Sequence, residues 1–303
     1  MTRRFIFGML CLAAVLVAAP LWAADAPTTS ALTEGATEGK SLTEINKEVT
    51  NPISSTWAIA FQQNNYMLDM GPGRPAHWNS NLNFQPLLPV SLTENWRLVT
   101  RPVVALFNSA PHPNPHNPRE ITRTTGFGDT ILAEVLAPSP KLLSNWLLGI
   151  GPTFIFPTAS SEFTGQGKYQ VGPAAVVGYL SKKWILAAFV QNWQSFSGSG
   201  NRPDTNLMNL QPIVAYFLPG GWGIGYSGNI LANWKADSAG DTWTVPLGLA
   251  VSKVLMFGKL PVKIGLAGQY MVHHPEVGGQ KWNIQLNVTP VIPMLVKGNL
   301  FGD

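Results

Sequence analysis

Three features are scarce in this sequence, and each absence excludes a class of protein. There is one cysteine, Cys11, in the N-terminal hydrophobic stretch, so the expected mature chain cannot form a disulfide. Only 12% of the residues are charged, against about 25% in soluble domains. Beyond residue 24, no run approaches the ~18 apolar residues of a membrane-spanning helix. An exported chain with these properties must be held together by backbone hydrogen bonds, which favours a closed β-barrel.

An excess of charge of one sign is also missing. The chain has 20 Lys and Arg residues against 16 Asp and Glu residues. Two of the basic residues, Arg3 and Arg4, lie in the segment that we expect to be removed. Surfaces that bind nucleic acid need clustered basic residues. We therefore exclude nucleic acid as a partner.

The first residues have the pattern of a secretory signal peptide. The two arginines precede an uncharged apolar run over residues 5–19, and Ala23 and Ala24 are small enough for cleavage. A membrane-spanning helix is the alternative, but the run is too short for one. We predict a signal peptide at residues 1–24 and export of the remainder to the outer membrane of a Gram-negative cell.

A polar segment, residues 25–51, follows this leader. Ser41 and Glu44 have the spacing of a capping box, in which each side chain satisfies a backbone N–H at the start of a helix. We therefore predict a short helix over residues 41–49. The segment is expected to lie in the periplasm or to plug a barrel, and plain disorder is the alternative.

From Ile53 onward, apolar and polar residues alternate with a period of two, which is typical of strands with two different faces. The clearest strand places Trp282, Ile284, Leu286 and Val288 on one face and Lys281, Asn283, Gln285 and Asn287 on the other. The apolar sets of the clear runs carry no charge at mid-strand, where a Lys or Arg facing lipid would cost about 2–4 kcal/mol. We assign the apolar face to lipid and the polar face to a lumen.

Short and long connections alternate along the chain, as in outer-membrane barrels with short turns at one end and long loops at the other. The short ones lie near residues 89–95, 137–145, 181–183, 219–221 and 254–260, and the long ones span residues 67–77, 108–126, 158–168, 197–206, 233–241 and 272–279. The pattern predicts an all-β fold, a transmembrane antiparallel up-and-down β-barrel of about 12 strands. The barrel would occupy residues 52–296, followed by a tail at residues 297–303.

Tryptophan occurs near the predicted strand ends. The indole ring has an apolar body and a polar N–H, which favours the membrane interface. We expect two aromatic girdles, with Trp57, Trp96, Trp146, Trp184 and Trp222 at the short-turn end and Trp78, Trp243 and Trp282 at the long-loop end. An exported soluble β-sandwich, the alternative fold, would place tryptophan in its core without such sorting.

Three prolines fall inside predicted strands, namely Pro152, Pro173 and Pro246. Proline has no N–H and removes a hydrogen bond from the ladder between strands. We expect local bulges at these positions.

Nine short motifs occur in order over about residues 50–293: NPISS at 51–55, FQQN at 61–64, LNFQP at 82–86, WRLVTR at 96–101, GFGD at 126–129, GIGP at 149–152, GP at 172–173, NRPD at 201–204 and WTVP at 243–246. In this order they resemble a family of outer-membrane transporters linked to the meta-cleavage pathway of phenol degradation, whose members are sometimes mislabelled neuromedin U. The resemblance implies a barrel that transports small molecules, including hydrophobic or aromatic compounds. The chain departs from the family pattern by continuing through residues 297–303.

The polar strand faces supply the candidate selectivity residues of the lumen: Arg97, Arg101, Glu134, Lys263, Lys281, Asn283, Gln285 and Asn287. In a barrel of this size, the width and polarity of the lumen decide which solutes pass. Arg97, Arg101 and Lys263 would favour anionic or polar-aromatic solutes. The alternative is that the arginines pair with Glu134 across the lumen and only hold the interior together.

We predict no catalytic site, no metal site and no cofactor. The five histidines, His77, His112, His116, His273 and His274, fall in predicted outer loops. An outer-membrane lipase, the enzyme alternative, would need a base within the barrel wall, and a metal site formed by the loop histidines is a further alternative. Expected partners are outer-membrane lipid, small-molecule solutes and, during biogenesis, periplasmic chaperones and the barrel-assembly machinery. A structural or surface-binding barrel without transport remains the other functional alternative.

Overall fold

The computed structural model of the protein describes residues 39–296 and 298–302, and the expected signal peptide lies outside these residues. The helices are α1 (Leu42–Thr50), α2 (Pro140–Leu143) and α3 (Ala239–Thr242), with a 3₁₀ turn at Pro219–Gly221. The strands are β1 (Ala58–Met70), β2 (His77–Ser91), β3 (Trp96–Asn114), β4 (Asn117–Phe127), β5 (Thr130–Pro138), β6 (Trp146–Phe156), β7 (Lys168–Leu180), β8 (Trp184–Gly198), β9 (Asn206–Leu218), β10 (Trp222–Ser227), β11 (Ile230–Asn233), β12 (Trp243–Phe257), β13 (Leu260–His273) and β14 (Val277–Pro290). Within the described ranges, no helix has the length and apolarity that a membrane crossing requires.

The strands form one antiparallel sheet that closes on itself, because β1 pairs with β14 as well as with β2. At two places around the barrel, two consecutive strands together occupy the place of one, so 14 strands make 12 positions. β4 and β5 both pair with β3, and β10 and β11 both lie between β9 and β12. The result is a closed antiparallel 12-strand β-barrel, which confirms the predicted fold.

The two faces of the wall differ as the alternation predicts. On β14, Asn283 and Gln285 are buried on the inner face. On β12, Leu247 and Leu249 project outward and are 60% and 59% exposed. A sheet with a polar inner face and an apolar outer face is stable where lipid surrounds it, because its closure leaves no unpaired edge.

The two ends of the barrel carry different connections. One end has tight turns, such as residues 181–183 and residues 258–259, and we call it the short-turn end. The other end, the long-loop end, carries loops such as residues 157–167 and residues 199–205. The C-terminal tail returns to the short-turn end, where the N–H of Leu300 donates to the carbonyl of Ser91 at 3.0 Å.

One predicted loop is a hairpin instead. Residues 108–126 were expected to form a loop, but β3 runs to Asn114 and β4 pairs with it from Asn117. The pairing of β2 with β3 ends at Ser109, so residues 110–114 of β3 have a free edge on that side. Pro111 and Pro113 are tolerated there because a proline on a sheet edge breaks no ladder.

The three strand prolines coincide with irregularities in pairing. Pro152 and Pro173 lie opposite each other on β6 and β7. The pairing of β6 with β5 skips Glu134 and Val135, next to Pro152, so the missing N–H falls where the ladder is interrupted. Pro246 lies at a register shift between β12 and β13, which confirms the bulge expected there.

Candidate functional site: the lumen and the N-terminal segment

The N-terminal segment, which we define as residues 41–57, begins with a capped helix. The hydroxyl of Ser41 accepts a hydrogen bond from the N–H of Glu44 at 3.2 Å, and the carboxylate of Glu44 accepts one from the N–H of Ser41 at 2.7 Å. These bonds hold the pKa of Glu44 below its usual value, the backbone N–H of Ser41 being the largest cause. The predicted capping box is confirmed, and α1 spans Leu42–Thr50.

Helix α1 docks inside the barrel at the short-turn end. Its residue Asn46 is fully buried and donates to the carbonyl of Gly221 at 2.9 Å and to the hydroxyl of Ser252 at 3.3 Å. Lys47 donates to the carbonyl of Ser181 at 3.1 Å. Because a buried amide without partners would cost about 1–3 kcal/mol, these bonds define one docked position for the helix.

Beyond the helix, the segment packs into the main hydrophobic cluster of the barrel. Ile53 is only 2% exposed and belongs to the cluster that contains Val99, Val135 and Leu147 of the inner wall. A Cβ atom built on Gly149 would lie 3.6 Å from Cγ2 of Ile53, so the wall is close on this side. The segment therefore packs against the inner wall at Ile53, and its role as a plug stays a prediction.

Two cationic side chains of the wall bind the same stretch of this segment. Lys263, on β13, donates to the hydroxyl of Thr50 at 2.6 Å. Arg101, on β3, donates to the carbonyl of Pro52 at 3.2 Å, and its guanidinium lies 4.8 Å from the ring centre of Phe189. Because Thr50 and Pro52 are separated by one residue, both positive charges are held close to one point of the lumen.

A cavity of about 240 Å³ remains between the segment and the wall. It exists because the wall of β10, β12 and β13 has small inner side chains here: Gly223, Gly225, Ala250, Ser252, Gly265 and Ala267. Arg101 and Lys263 both line it, together with carboxamides such as Gln285. None of the residues that line it is Asp or Glu.

Carboxamides continue across the inner wall of neighbouring strands. Gln62 on β1 donates to Asn64 at 2.9 Å, and Gln85 on β2 donates to Gln62 at 3.3 Å. Asn283 on β14 reaches Gln269 on β13 at 3.5 Å. A surface of amides offers donors and acceptors at once, so it can hydrogen-bond many polar solutes without strong preference.

Seven of the eight predicted selectivity residues lie on inner strand faces. Arg97, Arg101, Lys263, Lys281, Asn283, Gln285 and Asn287 do so, as their alternation with outward neighbours and the lining of the cavity indicate. Lys281 forms an ion pair with Asp69 at 3.1 Å. Arg97 is buried, and its Nε atom has no hydrogen-bond partner in the described structure. Their part in selectivity stays a prediction.

The prediction for Glu134 is wrong. Its neighbours Ala133 and Val135 are buried in the inner cluster, so Glu134 projects from the outer face of β5. There its carboxylate accepts a hydrogen bond from the hydroxyl of Thr100 at 2.7 Å. The expected pairing of Arg97 or Arg101 with Glu134 across the lumen therefore does not form, and β5 carries an acidic residue at mid-strand on its outer face. Period two fixes which residues share a face but not which face is inner.

Tryptophan side chains on the outer face fall into two groups, one near each end of the barrel. At the short-turn end, Trp96, Trp146, Trp184 and Trp222 are about half exposed, and Lys253 lies 4.6 Å from the ring centre of Trp222. At the long-loop end, Trp78 contacts Trp282 with ring centres 4.2 Å apart, and Trp234 contacts Trp243 at 5.3 Å. The expectation for Trp57 is wrong, because Trp57 is buried and its indole N–H donates to the carbonyl of Pro89 at 2.8 Å.

The histidines are not all in loops. His77 begins β2, His112 lies in β3 and His273 ends β13, because these strands extend further than predicted. The ring of His112 stacks on Phe163 with centres 3.5 Å apart, at the long-loop end. Among residues 39–296 and 298–302, no group of three or more His, Cys, Asp or Glu residues could hold a metal ion.

Loops at the long-loop end are tied to the strands by ion pairs and hydrogen bonds. Lys168, at the start of β7, bonds to Asp204 at 3.0 Å. This hydrogen bond is the largest cause that lowers the pKa of Asp204. The hydrogen bond from Ser238 likewise lowers the pKa of Asp241, which lies in α3. These bonds order the outer mouth of the lumen.

Sequence reasoning missed the wall partners of the N-terminal segment. Asn46 and Thr50 contact wall residues 175 and 213 positions away in sequence, and Pro52 contacts Arg101 49 positions away. The sequence holds one indication of these contacts. Asparagine is unfavourable on a buried helix face unless its side chain has hydrogen-bond partners, so Asn46 indicates that the helix packs against polar groups. Periodicity gives no information on which wall residues those partners are.

Comparison with known proteins supports the fold. No protein-family model matches the chain, and the curated proteins contain no match to it. The crystal structure of an outer membrane channel from Pseudomonas putida F1 aligns with a TM-score of 0.53 and 14% identity, covering 89% of this chain and 100% of that one. At this identity the likeness shows the fold alone, which is that of an outer-membrane β-barrel.

Two further solved structures are more distant. The porin NanC aligns with a TM-score of 0.46 and 8% identity over 77% of this chain and 98% of that one. The toluene transporter TodX of Pseudomonas putida aligns with a TM-score of 0.36 and 10% identity over 80% of this chain and 91% of that one. These TM-scores are too low to support an argument about function.

Proposed function

We propose that the protein is an outer-membrane channel that passes small molecules, after export by a signal peptide at residues 1–24. The observation that supports this most is the cavity between the N-terminal segment and the polar inner wall. A barrel that served only as a scaffold could fill this space with large side chains, as small barrels do. Here small residues, such as Gly265 and Ala250, keep it open.

The two groups of tryptophan side chains support the location of the barrel in a membrane. In this proposal they lie at the two interfaces, with lipid against the apolar band between them. The short-turn end then faces the periplasm, and the N-terminal segment constricts that end of the lumen. Chaperones and the barrel-assembly machinery would be the partners during biogenesis, as for any protein of this architecture.

We further propose that the solutes include hydrophobic or aromatic compounds. The support is the resemblance of nine ordered motifs to transporters linked to phenol degradation, together with the fold shared with an outer membrane channel of Pseudomonas putida F1. The cavity combines apolar residues, such as Leu87 and Ile213, with amides. Such a mixed lining suits small solutes with an apolar body and one polar end.

A second function is favoured by the docking of Ile53 in the wall cluster. If the segment stays docked, the barrel is closed at that end and serves as an anchor, while the hairpin of β3 and β4 binds a surface partner. Conductance decides between the two functions. Measurable current supports the channel, and a barrel that passes neither ions nor solutes supports the anchor.

The channel can be tested with two matched variants on β13. Gly265 lines the cavity, and a Cβ atom there would lie 3.6 Å from Cβ of Ser252, an ordinary contact distance, so the indole of Gly265→Trp would extend into the cavity. Gly268 is exposed on the outer face, and its Cβ would meet nothing within 4 Å. In planar bilayers and in liposome-swelling assays with sugars, amino acids and aromatic acids, Gly265→Trp should lower flux and Gly268→Trp should not. Equal flux through both variants and the parent protein would refute the path.

A further inference from the structure

The cavity contains two positive charges without a protein counter-charge. Within the described part of the chain, the ion pairs are Lys40 with Glu48, Lys168 with Asp204 and Lys281 with Asp69. Arg101 and Lys263 belong to none of them, and their polar contacts are to neutral groups, a carbonyl and a hydroxyl. A buried charge is unfavourable unless an opposite charge or several polar groups compensate it.

The other residues of the cavity limit what the compensating group can be. Its lining holds donors, such as Gln285 and Asn287, beside apolar Leu87, Ile213 and Ala250. Inorganic phosphate, which is polar on all sides, would lose hydration against the apolar residues without repayment. A carboxylate on a compact apolar body would present oxygens to the cations and carbon to the apolar wall.

We propose that Arg101 and Lys263 form a binding site for a small monocarboxylate, completed by the stretch Thr50–Pro52 of the N-terminal segment. A planar guanidinium can bind both oxygens of a carboxylate. The ammonium of Lys263 supplies a second charge-assisted hydrogen bond. The volume of about 240 Å³ suits a single-ring acid such as benzoate better than a larger solute.

The site gives the lumen a preference for anions. A cavity with low-dielectric walls and charge of one sign concentrates the opposite ion and repels others of its own sign. This inference rests on the proposed channel function, because the site lies on the solute path. Binding itself, however, can be measured without any transport.

Binding is tested first on the full-length mature protein in detergent. Benzoate, acetate and phosphate are titrated while the thermal unfolding midpoint is followed, since a ligand that binds the folded state raises it. Arg101→Gln and Lys263→Gln should each weaken benzoate binding roughly tenfold or more, because each removes a charge-assisted hydrogen bond. Arg101→Lys keeps the charge and should retain part of the binding. The control is Lys182→Gln, which removes an exposed cation in the tight turn at residues 181–183, outside the cavity.

Selectivity is tested next in planar bilayers with a salt gradient. The parent protein should have a reversal potential of the sign that indicates anion preference. The double variant Arg101→Gln/Lys263→Gln should shift this potential toward zero. Benzoate binding that is equal in all variants, or equal protection by phosphate, overturns the site. A parent protein that conducts without anion preference overturns the selectivity while leaving the channel intact. If no protein conducts, the channel is refuted, and the unfolding titration still decides on the site.

Discussion

Removing the side chain of Ile53 should loosen the N-terminal segment without unfolding the barrel. Ile53 is 2% exposed and packs against Val99 and Val135, which are fully buried. Truncation of a large buried aliphatic residue to alanine costs about 2–5 kcal/mol. This free energy is lost from the docking of the segment and not from the barrel wall, because Ile53 lies outside the strands.

This loss of free energy sets the expected change in the population of undocked segment. At 1.4 kcal/mol for each factor of ten, a loss of about 2 kcal/mol raises the ratio of undocked to docked segment by roughly 30-fold. We therefore expect Ile53→Ala to increase both single-channel conductance and the rate at which trypsin cleaves after Lys47 in α1. Lys47 is protected in the docked state by its bond to the carbonyl of Ser181.

The matched control is Ile150→Ala, the same substitution on the outer face of β6, where Ile150 is 66% exposed. It leaves no cavity in the interior, so conductance and cleavage should stay at the level of the parent protein. Unchanged conductance and cleavage in Ile53→Ala would refute the docking argument. So would equal changes in both variants, because the effect would then not come from the interior.

Three other predictions concern the outer face, the loops and the cap of α1. Thr100→Val leaves the carboxylate of Glu134 without its hydrogen-bond donor and should lower the unfolding free energy in vesicles by about 1–3 kcal/mol. Thr100→Val combined with Glu134→Leu should recover this stability. A double variant that is no more stable than the single variant contradicts the prediction. The contact of Asp204 with Lys168, whose hydrogen bond lowers the pKa of Asp204, contributes fully above the unfolded pKa of about 3.9 and is lost as the pH falls through the lower folded pKa. Hydrogen exchange of residues 199–206 should therefore rise over that interval in the parent protein but show no such step in Asp204→Asn. Ser41→Ala should cost α1 about 1 kcal/mol and speed cleavage after Lys47, while a cleavage rate equal to that of the parent would argue against the cap.

Much of the wall could be read from single residues and their neighbours. Alternation over Lys281–Thr289 identified the inner amides of β14, and the capping box at Ser41 and Glu44 located α1 to within one residue. Both are local properties, since the side-chain direction of a strand repeats every two residues and a cap involves groups three residues apart. The alternation of short and long connections then sufficed for the strand number.

Glu134 shows where local reasoning ends. Its strand does not alternate clearly, because alanine, valine and leucine on both sides of Glu134 leave the inner face undefined by sequence. The hydrophobic cluster around Ile53 shows which face of β5 is inner, because Ala133 and Val135 belong to that cluster. The apolar inner face of β5 belongs to a cluster that extends over β2, β3 and β5 to β9, and Ile53 of the N-terminal segment is part of it.

Local patterns thus predict most of the sheet, with its strands, its turns and the two unlike faces that let it close in lipid. The interior follows from contacts that form only in the folded chain. Asn46, Thr50 and Pro52 contact Gly221, Lys263 and Arg101 inside the closed barrel. Contacts between residues so distant in sequence depend on the register of every strand between them, and no short pattern records that register.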